Sequence, residues 1–276
     1  EWTGHPLQHA TLGDLRSYPW PDPYDSRSRV RGLLPEAQAY AAEGRYALCT
    51  RSPSRGLFDL ATQLRGFEAF LMDMALDPPF AHQLLAHIGE RIMGFYDVLL
   101  SEVGPYVDIV ETQDDLAHQQ GPFMSVAFFR TFLKPIRARL NELIRKKAPQ
   151  AKIYIHCCGA VEPLIPDLID TGVDILNPVQ PLARGMKTLD LKARYGKELV
   201  FYGGIDLQVA LAGPPECVDR EVRQRLHDLG PGGGYILAPA NVIQPDVPVE
   251  NILLLYQLGA RYGQYPLQFD TSDLQR

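Results

Sequence analysis

The chain has 276 residues, of which 46% are hydrophobic and 22% charged, and this balance is typical of a folded globular protein rather than a disordered one. Acidic residues outnumber basic ones by 33 to 27, and the resulting net charge of −6 repels phosphate backbones and anionic lipid. We therefore expect neither nucleic acid nor a membrane as a partner, and no apolar run approaches the ~18 residues of a membrane span. The four cysteines do not resemble a disulfide framework and no signal-like leader opens the chain, so we expect a cytoplasmic protein.

Residues 1–43 are rich in proline. The run Tyr18–Pro23 holds three prolines within six residues, and each proline lacks an amide donor and restricts the residue before it. This composition predicts an extended lead-in over residues 1–43. The chain begins with Glu1 rather than methionine, and we expect further strands of the fold to precede it.

From residue 44 onward, short apolar runs alternate with longer helical patterns. The short runs do not alternate between polar and apolar residues, which is typical of strands buried on both faces. They are Tyr46–Thr50, Val107–Thr112, Lys152–Cys157, Asp174–Val179, Leu199–Tyr202 and Gly234–Pro239. Apolar residues recur every three or four positions in the longer patterns, which predicts helices. These are Gly56–Leu76, Phe80–Val103, Ser125–Ala148, Val161–Thr171, Thr188–Arg194, Pro215–Leu229 and Val249–Tyr262.

The alternation of strands and helices predicts an α/β fold with a parallel sheet and right-handed crossovers. We expect a single (β/α)8 barrel domain over residues 1–276, in which residues 44–276 form successive β/α units. Six strands are predicted, so two of the eight are expected to be missing at the N-terminal side. The alternative is an open doubly wound sheet, which usually has a glycine-rich phosphate-binding turn after its first strand. Gly230–Gly234 precedes a strand instead, and we interpret it as a loop.

Polar residues follow the predicted strands at the end where parallel barrels place their active sites. Such a ring of polar groups is what a ligand-binding mouth requires. The candidates are Gln113, Asp114 and Asp115 after the second strand, His156 and Cys158 after the third, Asn177 and Gln180 after the fourth, Asp206 after the fifth, and Asn241 after the sixth.

The sharpest local signal is the pair His156 and Cys158. Side chains of a strand alternate between its two faces, so these two point the same way and Cys157 points the other way. An imidazole and a thiolate on one face form half of a zinc site. The alternative is that Cys157 and Cys158 are small buried hydrophobic residues and His156 is a hydrogen-bonded core residue.

The carboxylates admit two interpretations. Asp114 and Asp115 are candidates to bind a cation, transfer protons or hold a substrate amine, or else they form an Asx turn or a helix cap. Asp206 is a candidate of the same kind, or it caps the segment that follows. Arg137 and Arg139 lie on a helix away from the strand ends, and we interpret them as part of a solvated face.

Several stretches together resemble the uroporphyrinogen decarboxylase superfamily, which also contains cobalamin-dependent methyltransferases. They occur in the family's order along nearly the whole chain, and the resemblance implies a (β/α)8 barrel of that type without its opening part. The matching stretches are Ala10–Leu15, Tyr18–Pro23, Asp114–Leu116 with Gln120–Pro122, Phe132–Pro135, His156–Gly159, Pro166–Ile169, Gly172–Gln180, Tyr202–Asp206 and Pro248–Ile252.

The resemblance is nearer to the methyltransferase branch, where a His-x-Cys motif and a later cysteine hold zinc. It implies that His156 and Cys158 are zinc ligands. The position of the later cysteine is occupied by Asn241, which is a weak zinc ligand. The third donor is therefore expected from a carboxylate, a water molecule or a segment that precedes the chain.

The resemblance implies an enzyme that transfers a methyl group from a small O-, N- or S-methylated compound to a corrinoid cofactor on a partner protein, with zinc as Lewis acid. It also implies that the protein can form a homodimer. We expect Asp114, Asp115 and Asp206 to be catalytic and Gln113, Asn177, Gln180 and Asn241 to bind substrate. One alternative is a metal-independent decarboxylase of uroporphyrinogen or another carboxylated substrate. A second alternative is a ligand-binding barrel without catalysis.

Overall fold

The structure is a computed structural model that describes residues 4–274. This part of the chain forms two compact units. The first unit contains residues 4–116, 124–156 and 164–173, and the second contains residues 117–123, 157–163 and 174–274. The expectation of a single barrel domain over residues 1–276 stays a prediction.

The described residues form eight strands and twelve α-helices. The strands are β1 (Cys49–Thr50), β2 (Ile109–Gln113), β3 (Ala117–His118), β4 (Gly121–Pro122), β5 (Lys152–His156), β6 (Ile175–Val179), β7 (Val200–Ile205) and β8 (Tyr235–Pro239). The helices are α1 (Leu12–Ser17), α2 (Arg27–Val30), α3 (Leu33–Glu43), α4 (Leu57–Arg65), α5 (Phe67–Leu76), α6 (Pro78–Val103), α7 (Val126–Phe128), α8 (Lys134–Lys147), α9 (Ile165–Asp170), α10 (Thr188–Tyr195), α11 (Pro215–Leu229) and α12 (Val249–Tyr262). No helix among residues 4–274 combines the length and the apolar character needed to cross a membrane.

Each unit has three parallel strands. In the first unit β2 pairs with β1 on one side and β5 on the other, and Gln113 lies opposite His156. In the second unit β7 lies between β6 and β8, while β3 and β4 form a short antiparallel hairpin. All six strands predicted from the apolar runs are present, and helices follow them, which confirms the α/β class with its parallel strands.

Burial explains why these segments form these elements. Every residue of β6 is buried, as expected for a strand covered on both faces. In α6 the residues Phe80, Leu84, Ile88 and Ile92 recur every four positions and are almost fully buried, so one stripe of this long helix faces the core. The Asp77 side chain caps its first turn by accepting a hydrogen bond from the amide of Phe80 at 3.2 Å.

The prediction of an extended lead-in over residues 1–43 is wrong for most of the described part. Residues 18–22 are non-helical, as the prolines require, but α1 precedes them and α3 follows. Helix resumes at Pro23 because proline is tolerated in a first turn, and Asp22 caps that turn by accepting from the amide of Tyr24 at 2.9 Å. Residues 1–3 lie outside the described residues.

The single helix predicted over Gly56–Leu76 is two helices, α4 and α5, joined at Gly66. Gly66 has φ +98° and ψ 139°, a backbone conformation that residues with a Cβ atom rarely adopt. The helical periodicity continues across the break, which is why the sequence pattern did not reveal it.

Gly66→Ala is expected to lower the free energy of unfolding by about 1–3 kcal/mol, because alanine must be forced into this conformation. Gly121→Ala is the control, because Gly121 has an ordinary φ and open space around its added Cβ. Chemical denaturation of the two variants measures the difference. Equal stability of Gly66→Ala and the wild type would contradict the argument.

Candidate functional site

In the first unit, two neighbouring strand ends bring together four of the nine predicted site residues. Gln113 is the last residue of β2 and lies opposite His156, the last residue of β5. The amide of Asp114 then donates a hydrogen bond to the carbonyl oxygen of His156 at 2.9 Å. The parallel register therefore places Gln113, Asp114, Asp115 and His156 at one end of these strands.

A cavity of about 280 Å³ opens at this end of the first unit. It is lined by Arg55, Asp59, Gln113, Asp115 and His156. A carboxylate oxygen of Asp115 and a ring nitrogen of His156 lie within 4.8 Å of each other. Two potential metal ligands thus face one space in this unit.

Asp114 does not line this cavity, because its side chain is fully buried beneath it. One carboxylate oxygen accepts hydrogen bonds from the amides of Phe58 and Asp59 at 2.9 and 3.2 Å, which are two of the free amides in the first turn of α4. The other oxygen accepts from Nη2 of Arg137 at 2.9 Å. Burial raises the pKa of the Asp114 carboxyl, while Arg137 and the two amides oppose that rise. The geometry is that of a helix cap and buried ion pair.

The interpretation of Arg137 as part of a solvated helix face is wrong. Its side chain is 2% exposed and forms a buried ion pair with Asp114. The sequence pattern missed this because an arginine is buried only when a charged partner compensates for lost hydration, and that partner is 23 positions away in the chain.

Gly56 allows the close approach of α4 to β2. A Cβ atom at this position would lie 2.2 Å from Oδ1 of Asp114 and 2.3 Å from the carbonyl oxygen of Gln113. Only glycine fits between the strand end and the helix start. This contact holds Arg55 and Asp59, on either side of Gly56, against the cavity.

Asp59 is a second cavity carboxyl that the sequence analysis did not single out. Burial, and then the negative charges of Asp114 and Asp115, raise the pKa of Asp59 to about 7. Hydrogen bonds from the amides of Asp115 and Gly56 oppose the rise. The only sequence signal for Asp59 was its position in the first turn of a helix that follows a glycine. The periodicity of α4 does not indicate that this turn packs against the end of β2.

In the second unit, Cys158 lies beside Asn241. Nδ2 of Asn241 and Sγ of Cys158 are 3.4 Å apart. Cys157 is completely buried, whereas Cys158 and His156 are each partly exposed, as alternating side chains at a strand end would be. Position 241 is thus adjacent to a predicted zinc ligand, although asparagine supplies no strong ligand itself.

Gln180 connects several loops of the second unit. Its Oε1 accepts hydrogen bonds from the amide of Gly159 at 2.9 Å and from Nε2 of Gln119 at 2.8 Å. Its Nε2 lies 3.4 Å from the carbonyl oxygen of Ala240, the neighbour of Asn241. These bonds fix the loops after β6 and β8 relative to Cys158 and Asn241.

Asn177 and Asp206 are held by the backbone of the second unit. The carbonyl oxygen of Asn177 accepts from the amide of Cys157 at 2.6 Å, and its side chain is buried. The Asp206 carboxylate accepts from three successive amides, those of residues 208–210, at 2.9–3.0 Å. Asp206 therefore caps the turn that follows β7, which is the structural alternative considered for it.

Parallel strands joined by helices, with polar side chains at the carboxyl ends, define the α/β class of folds. Within that class, the chain belongs to the uroporphyrinogen decarboxylase (URO-D) family, an enzyme family whose model matches residues 36–262. This confirms the resemblance found in the sequence.

Uroporphyrinogen decarboxylases are among the curated relatives. The chain is 26% identical over 190 residues to that of Synechococcus sp. (strain CC9605) and 25% identical over 179 residues to that of Mannheimia succiniciproducens. The alignments cover 66% and 64% of this chain and 48% and 47% of the relatives. The chain thus spans about half the length of the curated relatives it matches.

A solved structure of a methyltransferase from Methanosarcina mazei has the same fold. It superposes with a TM-score of 0.72 at 22% identity, over 95% of this chain and 72% of that chain. The likeness supports a uroporphyrinogen decarboxylase-type barrel fold.

Asp114→Asn is expected to lower the free energy of unfolding by about 3–5 kcal/mol, because it leaves the charge of Arg137 buried without its carboxylate. Asp115→Asn is the matched control, since Asp115 is partly exposed and lines the cavity. Urea denaturation measures both variants. A smaller loss for Asp114→Asn than for Asp115→Asn would contradict the structural role of Asp114.

Asp59→Asn is expected to become progressively more stable than the wild type as the pH rises from about 4 to 7. The folded pKa of Asp59 lies above the unfolded value, so the folded wild type binds more protons in this window and loses stability with rising pH. The asparagine variant lacks this loss, and the difference should level off above pH 7. Denaturation of chelator-treated protein at several pH values tests this, and a constant difference would contradict it.

Proposed function

We propose that this protein is a zinc-dependent methyltransferase that moves a methyl group from a small O-, N- or S-methylated compound to a corrinoid on a partner protein. The observation that carries the proposal is the set of donors at the carboxyl ends of β2 and β5. An Asp115 oxygen and a His156 nitrogen share a cavity, and Cys158 follows His156 by two residues.

The donor set suits zinc. Zinc binds imidazole, thiolate and carboxylate ligands, and a catalytic zinc uses three protein ligands and keeps one position open. We assign His156, Cys158 and Asp115 as the three ligands. Two residues of strand span about 6.6 Å between Cα atoms, so the chain itself allows His156 and Cys158 to reach one ion. Asp115 then supplies the carboxylate donor that Asn241 does not.

Zinc in this position would polarise the heteroatom that carries the methyl group. The chain's own residues bind and orient the substrate. Gln113 offers amide donor and acceptor atoms to the cavity beside His156, and Asn241 lies next to Cys158. Gln180 holds the loops on either side of Cys158 and Asn241 in place. Asp114 and Asp206 act through the backbone that they fix. A homodimer and a cytoplasmic location remain predictions.

A second candidate function is decarboxylation without a metal. The family name and the curated relatives support it. Asp59 and Asp115 would then stabilise the positive charge that develops when an electron-rich ring is protonated. The cavity of about 280 Å³ lies just below the ~300–1,000 Å³ typical of sites for drug-sized ligands, which favours a small substrate over a macrocycle.

We expect the purified wild type to retain about one zinc per chain, because three protein ligands define a catalytic zinc site. His156→Ala and Cys158→Ala should each lose most of it. Cys157→Ala is the matched control, because it removes the adjacent sulfur, which is fully buried. Elemental analysis measures the metal in all four proteins. A wild type without zinc, together with carbon dioxide release from a carboxylated substrate, would support the decarboxylase instead.

Asn241→Cys is expected to increase zinc affinity by about tenfold or more. The new thiolate would stand beside Cys158 and add a strong ligand to the set. Asn241→Ser is the control for loss of the amide. Competition with a chromogenic chelator under reducing conditions measures the affinities. Unchanged affinity in the cysteine variant would show that position 241 does not face the metal.

A further inference from the structure

The Arg55 guanidinium stands at the cavity without an intramolecular partner. Arg55 is exposed, whereas Asp59, Gln113, Asp115 and His156 are each only partly exposed. It is therefore the most solvent-accessible of the five lining residues. Among the residues that the structure describes, Arg55 makes no hydrogen bond or ion pair.

Its lack of a partner is informative because carboxylates are available. Asp59 and Asp115 line the same cavity, yet the guanidinium pairs with neither of them. By contrast, Arg51 in the same loop has its Nε 3.8 Å from Oε2 of Glu111 although its side chain is 94% exposed. Arg55 is also the only positively charged residue that lines this cavity in the described structure.

A guanidinium offers five donors in a planar fork that matches the two oxygens of a carboxylate. We infer that Arg55 binds a carboxylate of the substrate, which makes the substrate a small methylated carboxylic acid. This inference rests on the proposed function and deepens it. The carboxylate would lie at the mouth of the cavity, and the methylated heteroatom would point inward to Asp115 and His156.

The backbone fixes Arg55 where this role requires it. Arg55 directly precedes Gly56, which is pressed between α4 and the end of β2 by contacts that leave no space for a side chain. The position of the Arg55 Cα atom is therefore determined by the buried Asp114 cap, although its side chain is exposed. An anchor at the end of a rigid segment loses little entropy in its backbone when it binds.

The test compares pairs of probes that differ in charge but hardly in shape. The pairs are methoxyacetate with 2-methoxyacetamide and 4-methoxybenzoate with 4-methoxybenzamide. Binding is measured by NMR titration with the wild type, Arg55→Gln and the control Arg51→Gln. Arg55 has no hydrogen bond or ion pair in the described structure, so its replacement should leave the midpoint of denaturation unchanged.

We expect the wild type to bind the acid of at least one pair about tenfold more tightly than its amide, as a charge-assisted hydrogen-bonded pair would require. The ratio of acid affinity to amide affinity should fall to about one in Arg55→Gln and stay at about ten in Arg51→Gln. Arg55→Lys should show an intermediate preference, because lysine keeps the charge but not the planar fork. An acid preference that survives in Arg55→Gln, or its absence from the wild type, would overturn the inference.

Each titration is performed with chelator-treated and with zinc-loaded protein. An acid preference that depends on Arg55 in the zinc-free protein supports the inference even if the wild type fails to retain zinc, in which case only the methyltransferase proposal fails. An acid preference that requires zinc and is unchanged in Arg55→Gln would mean that the metal binds the carboxylate. This result would overturn the role of Arg55.

Discussion

The buried carboxylate of Asp114 is the interaction on which the rest of the site depends. It joins the end of β2 to the free amides at the start of α4 and to Arg137 on α8. A carboxylate is costly to bury, and it is retained here because two amides and a guanidinium compensate for its lost hydration. The same bonds bring Gly56 against the strand end, so the cavity walls on both sides of that glycine follow from this one side chain.

The two adjacent aspartates consequently have different roles. Asp114 is fully buried and holds the helix, whereas Asp115 is partly exposed and faces the cavity with His156. The second unit likewise has some polar residues that fix the backbone and others that stay accessible. Asp206 and Gln180 fix loops through hydrogen bonds to backbone atoms, and this leaves Cys158 and Asn241 side by side at the loop ends. In both units, therefore, one set of side chains organises the backbone and a different set is available to a metal or substrate.

The fold was largely predictable because burial on both faces and helical periodicity are local properties of the chain. All six strands were found, and α11 and α12 have the predicted bounds. The break at Gly66 and the helices before residue 44 were not predicted. The conformation of a single glycine and the placement of prolines in first turns leave only weak patterns in the sequence. In the site, strand order indicated Gln113, Asp115 and His156. Asp59, Arg55 and the Asp114–Arg137 pair depend on contacts between segments distant in sequence, which no local pattern encodes.

The chain belongs to the URO-D family, and the two proposed functions, methyl transfer and decarboxylation, would use the same strand ends. The ligands of one zinc ion distinguish between these two proposals. X-ray absorption at the zinc edge of the purified wild type tests the central assignment most directly. We predict one sulfur neighbour at about 2.3 Å together with nitrogen and oxygen neighbours at about 2.0–2.2 Å. A zinc shell without sulfur would contradict Cys158 as a ligand, and a protein that binds no zinc at all would contradict the proposed metal site.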